Sequence, residues 1–216
     1  QIPGMMPEAL DANLLSLIPT SPLFTTTEFA RAARLSENLA SSALGDLADR
    51  EVIMRVKHGT WANTHHPDFS PYAVIPVLFQ GTKKSPKHGY VSLTSALHLH
   101  GMIQQTSNVV HIMTTSRQRA FDTVLWRYEF HQISPSLFEG YQPHRKLGSI
   151  DVATPAKALF DTLYISCHRG YRFTNLPAIQ FTKNFRIKEM LGWIEQISDR
   201  KLRDAVTERW HQLREP

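Results

Sequence analysis

The chain of 216 residues contains one cysteine, Cys167. That excludes an internal disulfide framework and any cysteine-rich zinc site, and it fits a reducing compartment. No apolar run approaches the roughly 18 residues that a membrane span requires. The longest, Tyr72 to Phe79, is interrupted by Pro76. The N-terminus has no basic segment ahead of an apolar one, so no signal peptide is expected and a cytoplasmic location is. There is no glycine-rich phosphate loop, no Gly-x-Ser-x-Gly elbow, no internal repeat and no low-complexity tract. Hydrophobic residues make up 42% and charged residues 20%, which is ordinary globular usage.

The charge is unevenly placed. The formal net charge is +5, but residues 1–80 hold five Lys or Arg against eight Asp or Glu, and residues 81–216 hold nineteen against eleven. The join is the polar, lysine-bearing stretch Gly81 to His88, which reads as a linker. Two domains are expected, an N-terminal one over 1–80 and a C-terminal one over 89–216, in an α+β protein.

The first domain reads as a winged helix-turn-helix. Pro7 to Ile18 suits a short amphipathic helix. The Thr-Thr-Thr-Glu run after Phe24 is an N-terminal cap signal, and the helix should reach Ala33 with Phe29, Ala30 and Ala33 inward. Ser36 opens a second helix, with Leu39, Ala43, Leu44 and Leu47 expected inward and Glu37, Asn38, Ser41, Ser42 and Gly45 outward. The two are joined by a tight turn near Leu35, the arrangement that places a recognition helix in a DNA groove. Val52 to Asn63 then reads as a hairpin turning at His58-Gly59, the position of a wing. Arg55 and Lys57 share one face of its first strand.

Base and phosphate recognition is accordingly expected at Ser36, Asn38, Ser41 and Ser42, with Thr26, Arg31, Arg34, Arg55, Lys57 and His58 as phosphate anchors. The module's net negative charge weakens long-range attraction to DNA, and so favours a dimer, or two copies on a repeated site. Small helical modules with a hairpin also serve as protein-interaction domains, and that alternative stands beside DNA binding.

In the second domain, Gly89 to Gly101 reads as a helix with Ser92 or Thr94 as cap candidates and Gly101 at its end. Val109 to Thr114 and Leu125 to Ile133 read as strands. Ile150 to Tyr164 reads as a short strand entering a helix, with Thr154 capping, Pro155 at the first helical position, and Ala158, Leu159, Leu163 and Phe160 inward. Asn184 to Leu213 reads as two charged helices. Arg117 and Arg119 form a possible second basic surface, and the basic C-terminal stretch from Arg200 to Arg214 reads as a solvated face.

Three motifs in order, Ser92-Leu-Thr-Ser-Ala-Leu97 with His100-Gly101, Thr114-Thr-Ser-Arg117, and Val152-Ala-Thr-Pro-Ala-Lys-Ala-Leu-Phe-Asp161 with Leu163-Tyr164, resemble the AbiEi-type antitoxins of abortive-infection, type IV toxin–antitoxin pairs. The resemblance covers roughly residues 20–165. One departure is Ala156, where the family usually carries Glu. The resemblance implies a bacterial transcriptional autorepressor that binds inverted repeats in its own promoter. It also implies a functional partner, a nucleotidyltransferase-type toxin, countered without a stable complex.

No cofactor, metal or catalytic residue is expected. His98 and His100 point to different sides of a helix, His65-His66 lie in a loop, and His131 and His144 have no acidic or thiol neighbour at ligand spacing. His100 reads as a packed, hydrogen-bonded helix histidine. Cys167 beside His168 reads as a buried helix-end cysteine, because adjacent residues seldom face each other. The enzyme alternative is a nuclease-like domain around Asp151 and Lys157. It lacks a second carboxylate at strand spacing, since position 153 is Ala and 155 is Pro.

Overall fold

A computed structural model describes residues 16–17, 21–79, 88–117, 120–144, 147, 150–168 and 176–214. The chain is α+β and divides into two compact units, residues 1–78 and 79–216. The expected helix over Pro7 to Ile18 and the expected linker over Gly81 to His88 lie outside the described residues, save Ser16, Leu17 and His88.

In the first unit, strand β1 (Leu23–Thr25) leads directly into helix α1 (Thr26–Ala33). Thr25 is the cap. Its hydroxyl accepts the Glu28 N–H at 3.2 Å while the Glu28 carboxylate accepts the Thr25 N–H at 2.7 Å, a reciprocal pair that satisfies two orphan donors. The Thr25 N–H, with the Thr25 hydroxyl donating to the same oxygen at 2.8 Å, holds the Glu28 carboxyl below its usual range. Arg34 ends the helix in the left-handed region with φ 55°, and Ser36 caps α2 (Glu37–Asp49) by accepting the Leu39 N–H. The turn between the helices is therefore three residues, Arg34 to Ser36.

The hairpin follows as β2 (Met54–Lys57) and β3 (Thr60–Ala62). Its turn at His58-Gly59 needs the glycine, because Gly59 has φ +71°. The sheet order is β1-β3-β2, all antiparallel. β1 is absent from the sequence reading, since three residues are too few to show a period. Phe24, Phe29, Ala30, Ala40, Leu44, Leu47, Ile53 and Trp61 form the core.

One inward assignment is corrected. Leu39 is 60% exposed, and Ala40 is buried in its place. The stripe that meets α1 runs Ala40-Leu44-Leu47, an i, i+4, i+7 set, and Leu39 lies more than a quarter turn away from it. A short turn of 3-10 helix at Pro71–Val74 runs into helix α3 (Ile75–Leu78), which places Pro76 in a first turn where its missing N–H costs nothing.

The second unit is built on a mixed six-stranded sheet of order β6-β7-β5-β4-β9-β8. Its strands are β4 (Gly89–Val91), β5 (Val109–Thr114), β6 (Phe121–Asp122), β7 (Arg127–Gln132), β8 (Tyr141–Pro143) and β9 (Asp151–Ala153). Pairs β4–β9 and β5–β7 are parallel and the others antiparallel. Helix α4 (Leu93–Leu99) follows β4, and α5 (Pro155–His168) follows β9. Helices α6 (Ile187–Glu195) and α7 (Arg200–Arg214) complete the unit.

Thr154 caps α5 as expected, accepting the Lys157 N–H at 3.2 Å, with Pro155 at the first helical position. The helix is not one-sided, however. Every residue from Pro155 to Ser166 is buried, because α5 packs against α4, α6 and α7 as well as β9. A helix covered all round loses the polar stripe from which an inward face is read. His100, at the end of α4, is hydrogen-bonded through Nε2 to the Ala153 carbonyl at 2.6 Å.

Candidate nucleic-acid interface

On α2 the residues opposite the core stripe are Asn38, Ser42, Gly45, Asp46 and Asp49, with Glu37 and Ser41 exposed on one flank and Leu39 on the other. Ser36, Asn38, Ser41 and Ser42 are all solvent-exposed, so the structure leaves each of these sequence-selected residues open. Glu37, the acid nearest the helix start, is tied down, because Thr27 Oγ1 donates to its Oε1 at 2.8 Å. The other acids of α2, Asp46 and Asp49, lie in its C-terminal half. The N-terminal half of the outward face therefore carries hydroxyls and one carboxamide, with one leucine on its flank. Leu39 was assigned to the core by sequence pattern, and its exposed place on that flank was missed.

The basic residues divide in role. Arg31 and Arg34 are exposed, the first in the last turn of α1 and the second in the inter-helix turn. Arg55 is exposed on β2, with its guanidinium carbon 4.6 Å from the centre of the Trp61 ring. Its Nη2 lies 3.9 Å from where a Cβ on Gly45 of α2 would stand. Arg55 thus reaches from the hairpin to α2 at Gly45. His58 is exposed at the hairpin tip.

Lys57 behaves differently from its expected partner. It is half-buried, its Nζ donates to the Val77 carbonyl at 3.3 Å, and the register of β2 on β3 shifts between Arg55 and Lys57. The strand nevertheless keeps its alternation, with Met54 and Val56 buried, so Lys57 stays on the Arg55 face and turns its ammonium to the Val77 carbonyl. Thr26 is also structurally engaged. Trp61 Nε1 donates to its Oγ1 at 2.9 Å, and its N–H donates to the Gly59 carbonyl at 3.0 Å. Thr26 pins the hairpin to the start of α1.

In the second unit, Arg117 is exposed and Arg119 lies outside the described residues. Three basic residues of α7 are engaged within the unit. Arg209 donates to Ser166 at 2.6 Å, Arg203 to the Ile197 carbonyl, and Arg214 lies over Trp210. Cys167 is at the helix end as expected, but half-buried rather than buried.

The residues that carry the motif resemblance converge. Lys157 and Asp161, both fully buried, are 2.6 Å apart. Ser92 Oγ donates to the other carboxylate oxygen at 2.7 Å, and the Tyr90 hydroxyl does so at 3.0 Å. The Lys157 ammonium also lies 4.8 Å from the Phe160 and Trp193 rings. Burial pushes Asp161 up and Lys157 down, and their mutual attraction with the two hydroxyl bonds opposes both shifts. Because its hydroxyl serves Asp161, Ser92 makes no capping bond on α4, and Leu93 takes a left-handed φ of 50°. Thr154 Oγ1 donates to Glu189 on α6.

This network is closed to solvent, and Asp151, the other half of the nuclease alternative, pairs instead with His88 Nε2 at 3.1 Å. The two residues of that alternative thus serve different partners. Elsewhere in the sheet, His131 does have an acidic neighbour. Glu129 stands two residues before it on β7 and so shares its face, a spacing the sequence reading passed over, and the parallel ladder adds His111, which spacing along the chain does not reveal.

No family model matches the chain, and no curated protein matches it. Among the described residues, no helix is long and apolar enough to cross a membrane.

Proposed function

We propose that this chain is a promoter-binding transcriptional autorepressor of the AbiEi antitoxin type, acting in the cytoplasm. In this reading α1, the three-residue turn and α2 are the helix-turn-helix, and β2–β3 is the wing. The observation that carries it is the outward face of α2. Asn38, Ser41 and Ser42 are exposed and clear of the core in the N-terminal half of the helix, the half that enters a groove in such modules; the one acid there, Glu37, is held by Thr27, and Arg55 of the hairpin reaches the flank of α2 at Gly45.

The chemistry supports sequence reading rather than bulk charge attraction. Asn38 suits a bidentate contact to adenine, the serines suit either base edges or phosphates, and Leu39 suits a thymine methyl. Arg31, Arg34 and Arg55 supply phosphate contacts. One module offers few of these, so two copies on inverted repeats follow naturally. The second unit, whose closed Lys157–Asp161 network holds the motif residues together, is then the part that counters a nucleotidyltransferase-type toxin.

Titration of the full chain against labelled DNA from upstream of its own operon tests the reading. Expected is saturable binding that weakens steeply with salt and exceeds binding to scrambled DNA by at least 10³-fold. Equal binding to both DNAs would remove the repressor assignment. A nucleotidyltransferase gene beside it is the expected genetic context.

A further inference from the structure

Strands β5 and β7 run parallel in a register that sets His111 beside Glu129 and Met113 beside His131. Residues two apart on a strand share a face, so His111, Glu129 and His131 all project to the same side of the sheet. Nδ1 of His111 is 3.1 Å from Nε2 of His131. Oε2 of Glu129 is 3.8 Å from the first and 3.9 Å from the second. Atoms with these separations lie on a circle of radius about 2.1 Å, which is the length of a zinc–imidazole or zinc–carboxylate bond.

A hydrogen bond between the two imidazoles accounts for the 3.1 Å contact alone. It does not account for the carboxylate oxygen, which is nearly equidistant from both nitrogens and too far from either to accept a good hydrogen bond. A cation at the common centre would lie within bonding distance of all three atoms.

The surroundings orient the carboxylate as well. Its other oxygen, Oε1, accepts from Arg127 Nε at 2.9 Å, and Arg127 Nη1 is held by Asp122 at 2.7 and 3.0 Å. That is the outer support that metal-binding carboxylates usually have. The strand is fixed at the same point, since the His111 N–H donates to Ser95 Oγ at 3.0 Å. The imidazoles are 7% and 2% exposed and Glu129 is 25% exposed, so the site is walled on the histidine side and reached past the carboxylate.

We propose that His111, Glu129 and His131 bind one divalent transition-metal ion of the zinc class. The donor set is two imidazole nitrogens and one carboxylate oxygen, a borderline set that suits zinc and leaves a fourth position for water or another ligand. Both ligating nitrogens must be free of protons, so the ion competes with protons for them and binding weakens as pH falls.

The full chain, stripped with a chelator, is dialysed against zinc or cobalt(II) and its metal content measured by mass spectrometry. Expected is one equivalent per chain, with the visible ligand-field bands of low-coordinate cobalt and a thermal midpoint raised by zinc. Glu129→Gln, which keeps the side-chain shape, and His131→Phe should each lose stoichiometric uptake. Arg127→Met should weaken it about 10- to 100-fold with an unchanged circular-dichroism spectrum. A folded wild-type chain that takes up neither metal overturns the proposal. So does zinc retained equally by folded Glu129→Gln and Arg127→Met. These readouts involve no DNA and stand apart from the repressor reading.

Discussion

The guanidinium of Arg55 lies 4.6 Å over the ring of Trp61, whose indole N–H is itself held by Thr26 at the start of α1. A stacked arginine keeps its donors outward while its plane is fixed, so less freedom is lost when it meets a phosphate. Arg55→Ala should therefore weaken binding to specific and scrambled DNA alike. It should reduce the slope of log K against log salt by about one, since each neutralised phosphate contributes roughly 0.9. Lys57→Ala should change that slope less, because Lys57 already serves the Val77 carbonyl. Fluorescence anisotropy from low to moderate salt checks both. Equal slopes for Arg55→Ala and wild type would mean that the hairpin does not touch DNA.

Leu39 provides a test with two readouts. As an exposed residue its replacement by Ala should alter stability by no more than about 0.5 kcal/mol, whereas a core leucine would cost about 2–5 kcal/mol. On DNA the same variant should lose discrimination at one thymine, and Asn38→Ala should lose about 1–3 kcal/mol at one base pair, while binding to scrambled DNA is nearly unchanged. Chemical denaturation and binding to a set of single-base operator variants measure the two quantities separately. A variant that binds all sequences as wild type does would take α2 out of the groove.

The first of these residues also shows what the sequence could and could not say. Caps were legible because their signal is local. Ser36, Thr154 with Pro155, and the His58-Gly59 turn each act on backbone within four residues. Leu39 was misplaced because Leu39 and Ala40 both fit a 3.6-residue period, and the choice depends on how closely α1 approaches. Lys57 shares the outward face with Arg55 as the alternation implied, but its bond to the Val77 carbonyl, twenty positions on, has no local signal. The bonds of Tyr90 and Ser92 to Asp161, 71 and 69 positions away, have no local signal, and Glu129 and His131, two apart on one strand, gain His111 only through the pairing of β5 with β7.

His100 should give the second unit a pH-sensitive stability. Burial pushes its imidazole below the usual value, against the opposing bond to the Ala153 carbonyl. The unfolded chain then binds a proton that the folded chain refuses, so stability rises with pH through that window. The contribution is complete above about pH 6.5 and is lost as the pH falls below it. In His100→Gln, unfolding free energy between pH 7 and 5 should fall less steeply than in wild type. Parallel curves for the two proteins would show that His100 does not titrate on unfolding.

The Lys157–Asp161 pair should be strongly coupled, since each is fully buried and its partner is what makes the burial tolerable. Removing one charge strands the other, at a cost of about 3–5 kcal/mol. Lys157→Met and Asp161→Leu should each therefore destabilise the second unit severely. The double variant should be clearly more stable than the two single losses summed, because neither charge is left behind. Two features make the lysine site demanding. Its aliphatic stem lies 3.1 Å from where a Cβ on Gly140 would stand, and Gly140 has φ +78°, so the backbone there is closely fitted around it. Gly140→Ala, which would also press on Trp193 at 2.6 Å, should destabilise the fold through packing and left-handed strain without touching the charges. A thermal-melt double-mutant cycle on Lys157 and Asp161, with Gly140→Ala as the packing reference, measures the coupling. Additive losses would show that the two residues contribute through packing alone, and that the ion pair is incidental to what holds β4, α4 and α5 together.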